Sequence, residues 1–257
     1  MPEMQPSRPE VRVSIHPFSW WRAFLALPNA HPVKTLGVAL LVALVSSLAV
    51  CYTAVALKPL TDANRLKERA ASLMTLVETL GVGVPKPRLI TLADGQYADR
   101  DPGTRAPLGA ERDIARIGER EDVATVYELY EEGALTLVIL PVRGTGYQST
   151  LKGYLALKGD FNTIAALTFY AQDETPGIGT RILEDAWTSL WPGKRIVDTD
   201  GVVRLEVVKG RGEGVFEVDG ISGATRTTGG VTRLVRFWFG PDGYGPYIHR
   251  LKRERAS

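Results

Sequence analysis

From Thr35 to Leu57 the chain runs for 23 residues without a charge, and no second run of that length follows. As a helix this run rises about 34 Å, enough to cross a hydrocarbon core of about 30 Å. Trp20 and Trp21 before it and Tyr52 near its far end suit the two interfaces. One transmembrane helix over 35–57 is therefore predicted. A cleaved signal peptide would have a shorter apolar core nearer the start, although Ala54-Val55-Ala56 imitates a cleavage site. A lipid anchor at Cys51 would need a smaller residue before it than Val50, so Cys51 reads as a plain apolar residue. Arg22 and Lys34 flank one side, and Lys58, Arg65, Lys67 and Arg69 the other, which by charge alone leans toward a cytoplasmic C-terminal domain.

Elsewhere the pattern changes. Residues 1–34 hold Pro2, Pro6, Pro9, Pro17, Pro28 and Pro32, which predicts a short irregular head. Leu66, Ala70, Leu73, Val77 and Leu80 recur at helical spacing, so Asn64–Leu80 is a predicted helix, stopped by Gly81 and joined to the membrane helix through a kink at Pro59. Residues 84–122 are rich in Pro, Gly, Asp and Arg and read as surface loops, so 58–130 is expected to be a helix and loop-rich connection. From Ala134 the apolar runs are short and β-like. Strands are predicted over 134–142, 151–157, 164–170, 202–208 and 215–218, with helical spacing over 180–190 and a helical or buried run over 231–239. Strands do not alternate regularly with helices, so residues 131–257 are expected to form an α+β domain.

Composition narrows the function. Net charge is +2, too small for a nucleic-acid binder driven by bulk charge. A single Cys excludes a disulfide framework or a Cys-rich cluster, and three scattered His (His16, His31, His249) argue against a metal site. Gly210-Arg211-Gly212-Glu213-Gly214 lacks the Lys-Ser/Thr of a phosphate loop. The basic run Arg250–Arg255 reads as a solvated tail. No catalytic base or nucleophile stands out.

The most informative stretch is Asp219-Gly220-Ile221-Ser222-Gly223-Ala224-Thr225. It is a tight polar turn with two glycines, two hydroxyls and a carboxylate, followed by an apolar run. A phosphate esterified at Thr225 would sit among free N–H groups near a helix start. Taken alone, the stretch also fits a plain strand-to-helix turn. A second turn, Glu174-Thr175-Pro176-Gly177-Ile178-Gly179, follows a strand, and Gly177 and Gly179 would leave backbone open to a flat ligand.

In order, D-G-I-S-G-A-T resembles the flavinylation motif of membrane flavoproteins, in which a flavin transferase attaches FMN through its phosphate to the final Thr. By resemblance the acceptor is Thr225, with Asp219, Ser222, Gly223 and Ala224 around it. E-T-P-G-I-G is similar to the E-T-P-G-L-G loop that packs on the flavin in the same family, which brings in Glu174, Thr175, Gly177, Ile178 and Gly179. The strand Lys152–Leu157, the element Trp191-Pro192-Gly193-Lys194 and the tail Phe239–Tyr247 complete a resemblance, over roughly residues 30–250, to the C-type flavoprotein subunits of sodium-translocating NADH:quinone reductases. The G-type subunit of Rnf complexes shares the flavinylation motif but not those three elements, and a cofactor-free assembly protein is the remaining alternative.

The resemblance implies a single transmembrane helix followed by a mixed α/β FMN-binding domain carrying one covalent FMN. It implies single-electron relay from an iron–sulfur centre toward another FMN-bearing subunit and quinone, within a sodium-exporting complex of the bacterial inner membrane. It places the soluble domain in the periplasm, against the small charge asymmetry; long domains can translocate regardless of flanking charge. The implied partners are the other subunits, the flavin transferase and the lipid bilayer. Tyr147, Tyr154 and Trp191 are the aromatic candidates for contact with the flavin.

Overall fold

The computed structural model describes residues 19–29 and 31–256. They divide into two units, one ending at Asn64 and one from Arg65 onward.

The first unit holds helix α1 (Ser19–Ala26) and the apolar part of helix α2 (Pro32–Leu80). Leu36, Leu40, Leu48 and Val55 are all exposed, a surface suited to hydrocarbon and not to water. Among the described residues α2 is the one helix long and apolar enough to cross a membrane. The Thr53 hydroxyl donates back to the Ala49 carbonyl at 2.7 Å, so it brings no unpaired donor into the apolar stretch. The expected irregular head is corrected in part. Residues 1–18 lie outside the described residues, but 19–26 are helical because neither proline interrupts a helix there: Pro28 follows α1, and Pro32 takes the first position of α2. Lys34 Nζ closes the end of α1, donating to the carbonyls of Leu25 at 3.0 Å and Leu27 at 2.7 Å. The helix continues through Pro59 without interruption.

The second unit is built on a five-stranded antiparallel sheet of order β1-β4-β5-β6-β7. The strands are β1 (Lys86–Thr91), β4 (Val123–Glu131), β5 (Ala134–Thr145), β6 (Thr150–Lys158) and β7 (Ile164–Ala171). Both faces are covered, which is why the central strands read as unbroken apolar runs. Along β5, Leu137 and Ile139 face Leu76 and Val77 at the C-terminal end of α2, while Val138 and Leu140 enter the larger core. That core is closed by helix α4 (Thr225–Trp238), through Val231, Leu234 and Val235, and by helix α5 (Gly245–Ala256), through Tyr247, Ile248 and Leu251. Short pairs β2 (Arg105–Pro107) with β3 (Glu119–Glu121), and β8 (Glu206–Val207) with β9 (Glu217–Val218), lie outside the main sheet. The architecture is α+β, with one apolar helix ahead of a mixed domain.

Four further expectations are corrected. The boundary placed after residue 130 falls inside the sheet: β1 and β4 come from the stretch expected to be connection, and β4 pairs with β5 from Tyr127↔Ile139 to Glu131↔Ala134. The helical spacing over 180–190 resolves into a 3-10 turn (Gly179–Leu183) and a single turn of helix, α3 (Asp185–Thr188), while 202–208 contributes only two strand residues. The basic run is not simply a solvated tail. Arg250 is buried in α5, where its guanidinium donates to the Gly95 carbonyl and to Glu254, both at 2.8 Å, and covers the Tyr97 ring at 4.1 Å.

Candidate functional site

Two turns define the site. β9 ends at Val218, the chain turns through Asp219–Ala224, and α4 starts at Thr225. Asp219 fixes this turn from both ends. Its Oδ1 accepts the Gly212 N–H at 2.9 Å, and its carbonyl accepts the Trp187 indole N–H at 2.8 Å. Gly223 has φ +82, a conformation that disfavours any side chain. Ala224 stands at the N-cap, so no side chain caps α4, and no acidic residue occupies its first turn. The first-turn N–H groups are therefore free for an external acceptor, and the positive end of the helix faces it. Thr225 and Ser222 are both exposed.

The second turn leaves β7 and runs through Glu174–Gly179. The Thr175 carbonyl accepts the Ile178 and Gly179 N–H groups at 3.2 and 2.9 Å, which closes the turn. Ile178 is exposed and lies beside Gly223, where a Cβ would stand 3.6 Å from the Ile178 side chain. The two turns are thus neighbours. Gly177 is open to solvent as the sequence suggests, but Gly179 is buried.

Thr225 lies where two clefts meet. The larger, of about 820 Å³, runs along Val207–Gly210 and the Asp219–Gly223 turn to Thr228 and Gly229. The smaller, of about 300 Å³, is walled by Tyr147, Thr175, Ile178 and Gly179. The Arg226 guanidinium covers the Tyr147 ring at 5.1 Å. The residues fit a phosphate-linked, flat cofactor: an exposed hydroxyl at an uncapped helix start, with a cleft on either side. Of the three aromatic candidates, Tyr147 alone lines a cleft with Thr225. Tyr154 and Trp191 are fully buried, Tyr154 under α2 with its hydroxyl in reach of Arg69, Trp191 in the main core against Trp187.

Glu174 does not face either cleft as an open acceptor. It is 3% exposed, and its carboxylate accepts backbone N–H groups from 147–149 and the hydroxyls of Ser149 and Thr227. Burial alone would raise its pKa, but the Thr227 and Ser149 hydroxyls and the backbone donors outweigh burial and hold the carboxyl below its usual range. Trp187 and Thr227 are the site residues that sequence reasoning misses. Neither stands inside a motif, and only the fold brings them to Asp219 and Glu174.

A stability consequence follows from the sign of that shift. A depressed carboxylate pKa contributes stability above the unfolded value of about 4.3 and loses it as pH falls through the lower folded value. Acid titration of unfolding below about pH 4.3 is expected to show a shallower decline for Glu174→Gln than for the wild-type chain. Parallel curves would contradict that contribution.

Residues 146–240 match the FMN-binding domain family. Over an alignment of 256 residues, the chain is 37% identical to the C subunit of the Na(+)-translocating NADH-quinone reductase of Pseudomonas aeruginosa, covering 87% of this chain and 97% of that protein. It is 35% identical to the corresponding protein of Haemophilus ducreyi, with 85% and 93% covered. The crystal structure of Shewanella oneidensis NqrC superposes with a TM-score of 0.67 at 31% identity, over 73% of this chain and 99% of that one.

Proposed function

Because the chain belongs to the NqrC family, the C subunits of Na(+)-translocating NADH-quinone reductases, we propose that it carries one FMN as a phosphoester on Thr225 and relays single electrons inside that complex. It is a flavoprotein subunit of this oxidoreductase, anchored by one apolar helix. The reading adds that electrons arrive from an iron–sulfur centre in the membrane subunits and leave toward another FMN-bearing subunit and quinone. A flavin transferase loads the chain, the membrane is the bacterial inner membrane with its lipids around α2, and the domain from Arg65 onward lies on the periplasmic side.

The observation that carries the reading is the placement of Thr225: an exposed hydroxyl, first residue of an uncapped 14-residue helix, between two clefts. The FMN, when bound, supplies the redox chemistry, and the chain supplies position and surroundings. Thr225 would hold the group through its oxygen, as an ester formed with net loss of one water from FMN and hydroxyl. The free N–H groups of the first turn of α4 would take the phosphate oxygens, where the dipole favours negative charge. Asp219, Gly223 and Ala224 shape the turn that presents the hydroxyl, and Ser222 leaves its approach open. Thr175, Gly177 and Ile178 form the neighbouring wall, and Gly179 packs behind it.

The test is flavin fluorescence of the denatured chain, taken from its native membrane or from a host co-expressing a flavin transferase. Fluorescence that stays with the unfolded polypeptide is the expected result; complete release of flavin would overturn the covalent link. Asp219→Ala removes the acceptor for Gly212 N–H and loosens the turn. Its flavinylated fraction is expected to fall several-fold. Full occupancy in that variant would leave Asp219 without a part in loading.

A further inference from the structure

A carboxylate that touched the cofactor would need an open face, and Glu174 has none. Its Oε1 accepts the N–H groups of Gln148 at 3.1 Å and Ser149 at 3.0 Å and the Ser149 hydroxyl at 2.8 Å. The Tyr147 N–H reaches both oxygens, at 3.2 and 3.1 Å. Its Oε2 accepts the Thr227 hydroxyl at 2.6 Å. Two glycines make room for this carboxylate rather than for a ligand. A Cβ at Gly146 would stand 2.6 Å from Glu174 Oε1, and one at Gly179 would stand 2.7 Å from Glu174 Cβ and 3.0 Å from the Thr227 hydroxyl. Among the described residues no Lys or Arg pairs with Glu174.

Three segments therefore meet at one buried anion: the turn bearing Tyr147, the turn bearing Ile178 and the first helical turn bearing Thr225. Those segments line the smaller cleft with Tyr147, with Thr175, Ile178 and Gly179, and with Thr225, Arg226 and Thr227. We propose that Glu174 is a positioning residue for the cofactor site: acting through Thr227 and the Tyr147–Ser149 N–H groups, it sets the attachment threonine against the cleft walls without touching FMN. This rests on the assignment of FMN to Thr225. Charge-assisted hydrogen bonds to a buried carboxylate are strong and directional, so a single group can hold three otherwise mobile pieces in register.

The test uses the full-length chain in detergent, expressed with and without a flavin transferase, as wild type, Glu174→Gln, Thr227→Val and Thr227→Ser. Three quantities are read: amide exchange over 147–149, the FMN-bearing fraction, and the visible absorption of the attached flavin. Glu174→Gln places an amide donor against several donors. It is expected to speed exchange over 147–149 about tenfold without FMN, and to lower the FMN-bearing fraction several-fold. Thr227→Val loses one hydrogen bond and still folds, so its unfolding transition stays within a few degrees of wild type. Its FMN-bearing fraction nevertheless falls, and the flavin absorption of the remainder shifts. Thr227→Ser keeps the hydroxyl and restores wild-type values. Wild-type exchange in Glu174→Gln, or wild-type fraction and absorption in Thr227→Val, would overturn the proposal. A wild-type chain without FMN on Thr225 would instead overturn the underlying assignment, and exchange over 147–149 would still decide whether Glu174 clamps the turn.

Discussion

Thr225→Val is expected to remove covalent FMN completely while leaving the fold in place. Valine matches threonine in shape and branching, and Thr225 is exposed, so no packing is lost. What disappears is the hydroxyl of the one exposed threonine in the first turn of α4, since Thr227 and Thr228 are buried. Ser222 is also exposed but belongs to the preceding turn, three residues short of the helix N-terminus. It cannot bring a phosphate onto the same free N–H groups. Thr225→Ser keeps the oxygen and is expected to retain most of the flavin. Fluorescence of the denatured chain reads both variants. The Thr225→Val chain should still be found with its partner subunits, dark and unable to pass electrons. A fluorescent Thr225→Val chain would put the attachment elsewhere.

The second large effect concerns stability, not chemistry. Glu128 is fully buried and accepts three phenol hydroxyls: Tyr97 at 2.8 Å, Tyr130 at 2.9 Å and Tyr247 at 2.5 Å. Arg88 approaches at 3.8 Å. Burial first, and then the hydrogen bond to Glu128, push the hydroxyls of Tyr97, Tyr130 and Tyr247 above their usual range, so all three stay neutral donors. One carboxylate thereby joins β4, the loop after β1 and α5. Glu128→Ala leaves a cavity and strands the Tyr247 hydroxyl in the core. It is expected to cost about 3–5 kcal/mol, the loss typical of removing one member of a buried charged network. Glu128→Gln keeps the volume but turns a donor toward donors, and should cost about 1–3 kcal/mol. Denaturant unfolding of the full chain measures both. A loss below about 1 kcal/mol for Glu128→Ala would mean that the network contributes little.

Glu128 also explains where sequence reading stops. β4 reads V-A-T-V-Y-E-L-Y-E, and a glutamate in mid-strand looks like an outward position. Here it points inward, because Tyr97 and Tyr247 from distant segments, with Tyr130 of the same strand, satisfy it. Without those partners in view the strand loses its alternation, and the domain boundary falls after 130 instead of before the sheet. β1 is hidden for a simpler reason: Lys86, Pro87 and Arg88 on an exposed edge look like loop. By contrast β5, β6 and β7 are legible, since strands buried on both faces need no partner to be recognised. The long apolar helix is legible from length and charge alone. At the site, the Asp219–Ala224 turn can be read from residue order, because the glycine at φ +82 and the threonine at the helix start are local requirements. Glu174 stands out as a site residue, yet its role does not. A glutamate beside a Pro-Gly turn gives no sign that its carboxylate will be enclosed by N–H groups 25 to 27 residues earlier and a hydroxyl 53 residues later.

The most direct test of the central claim is peptide mass spectrometry on the chain from its native membrane. Trypsin releases Gly212–Arg226, which contains the whole of Asp219–Thr225. The expected result is a peptide heavier by one FMN less one water, with fragment ions placing the addition on Thr225. An unmodified Gly212–Arg226 peptide, or an addition localised to Ser222, would contradict it.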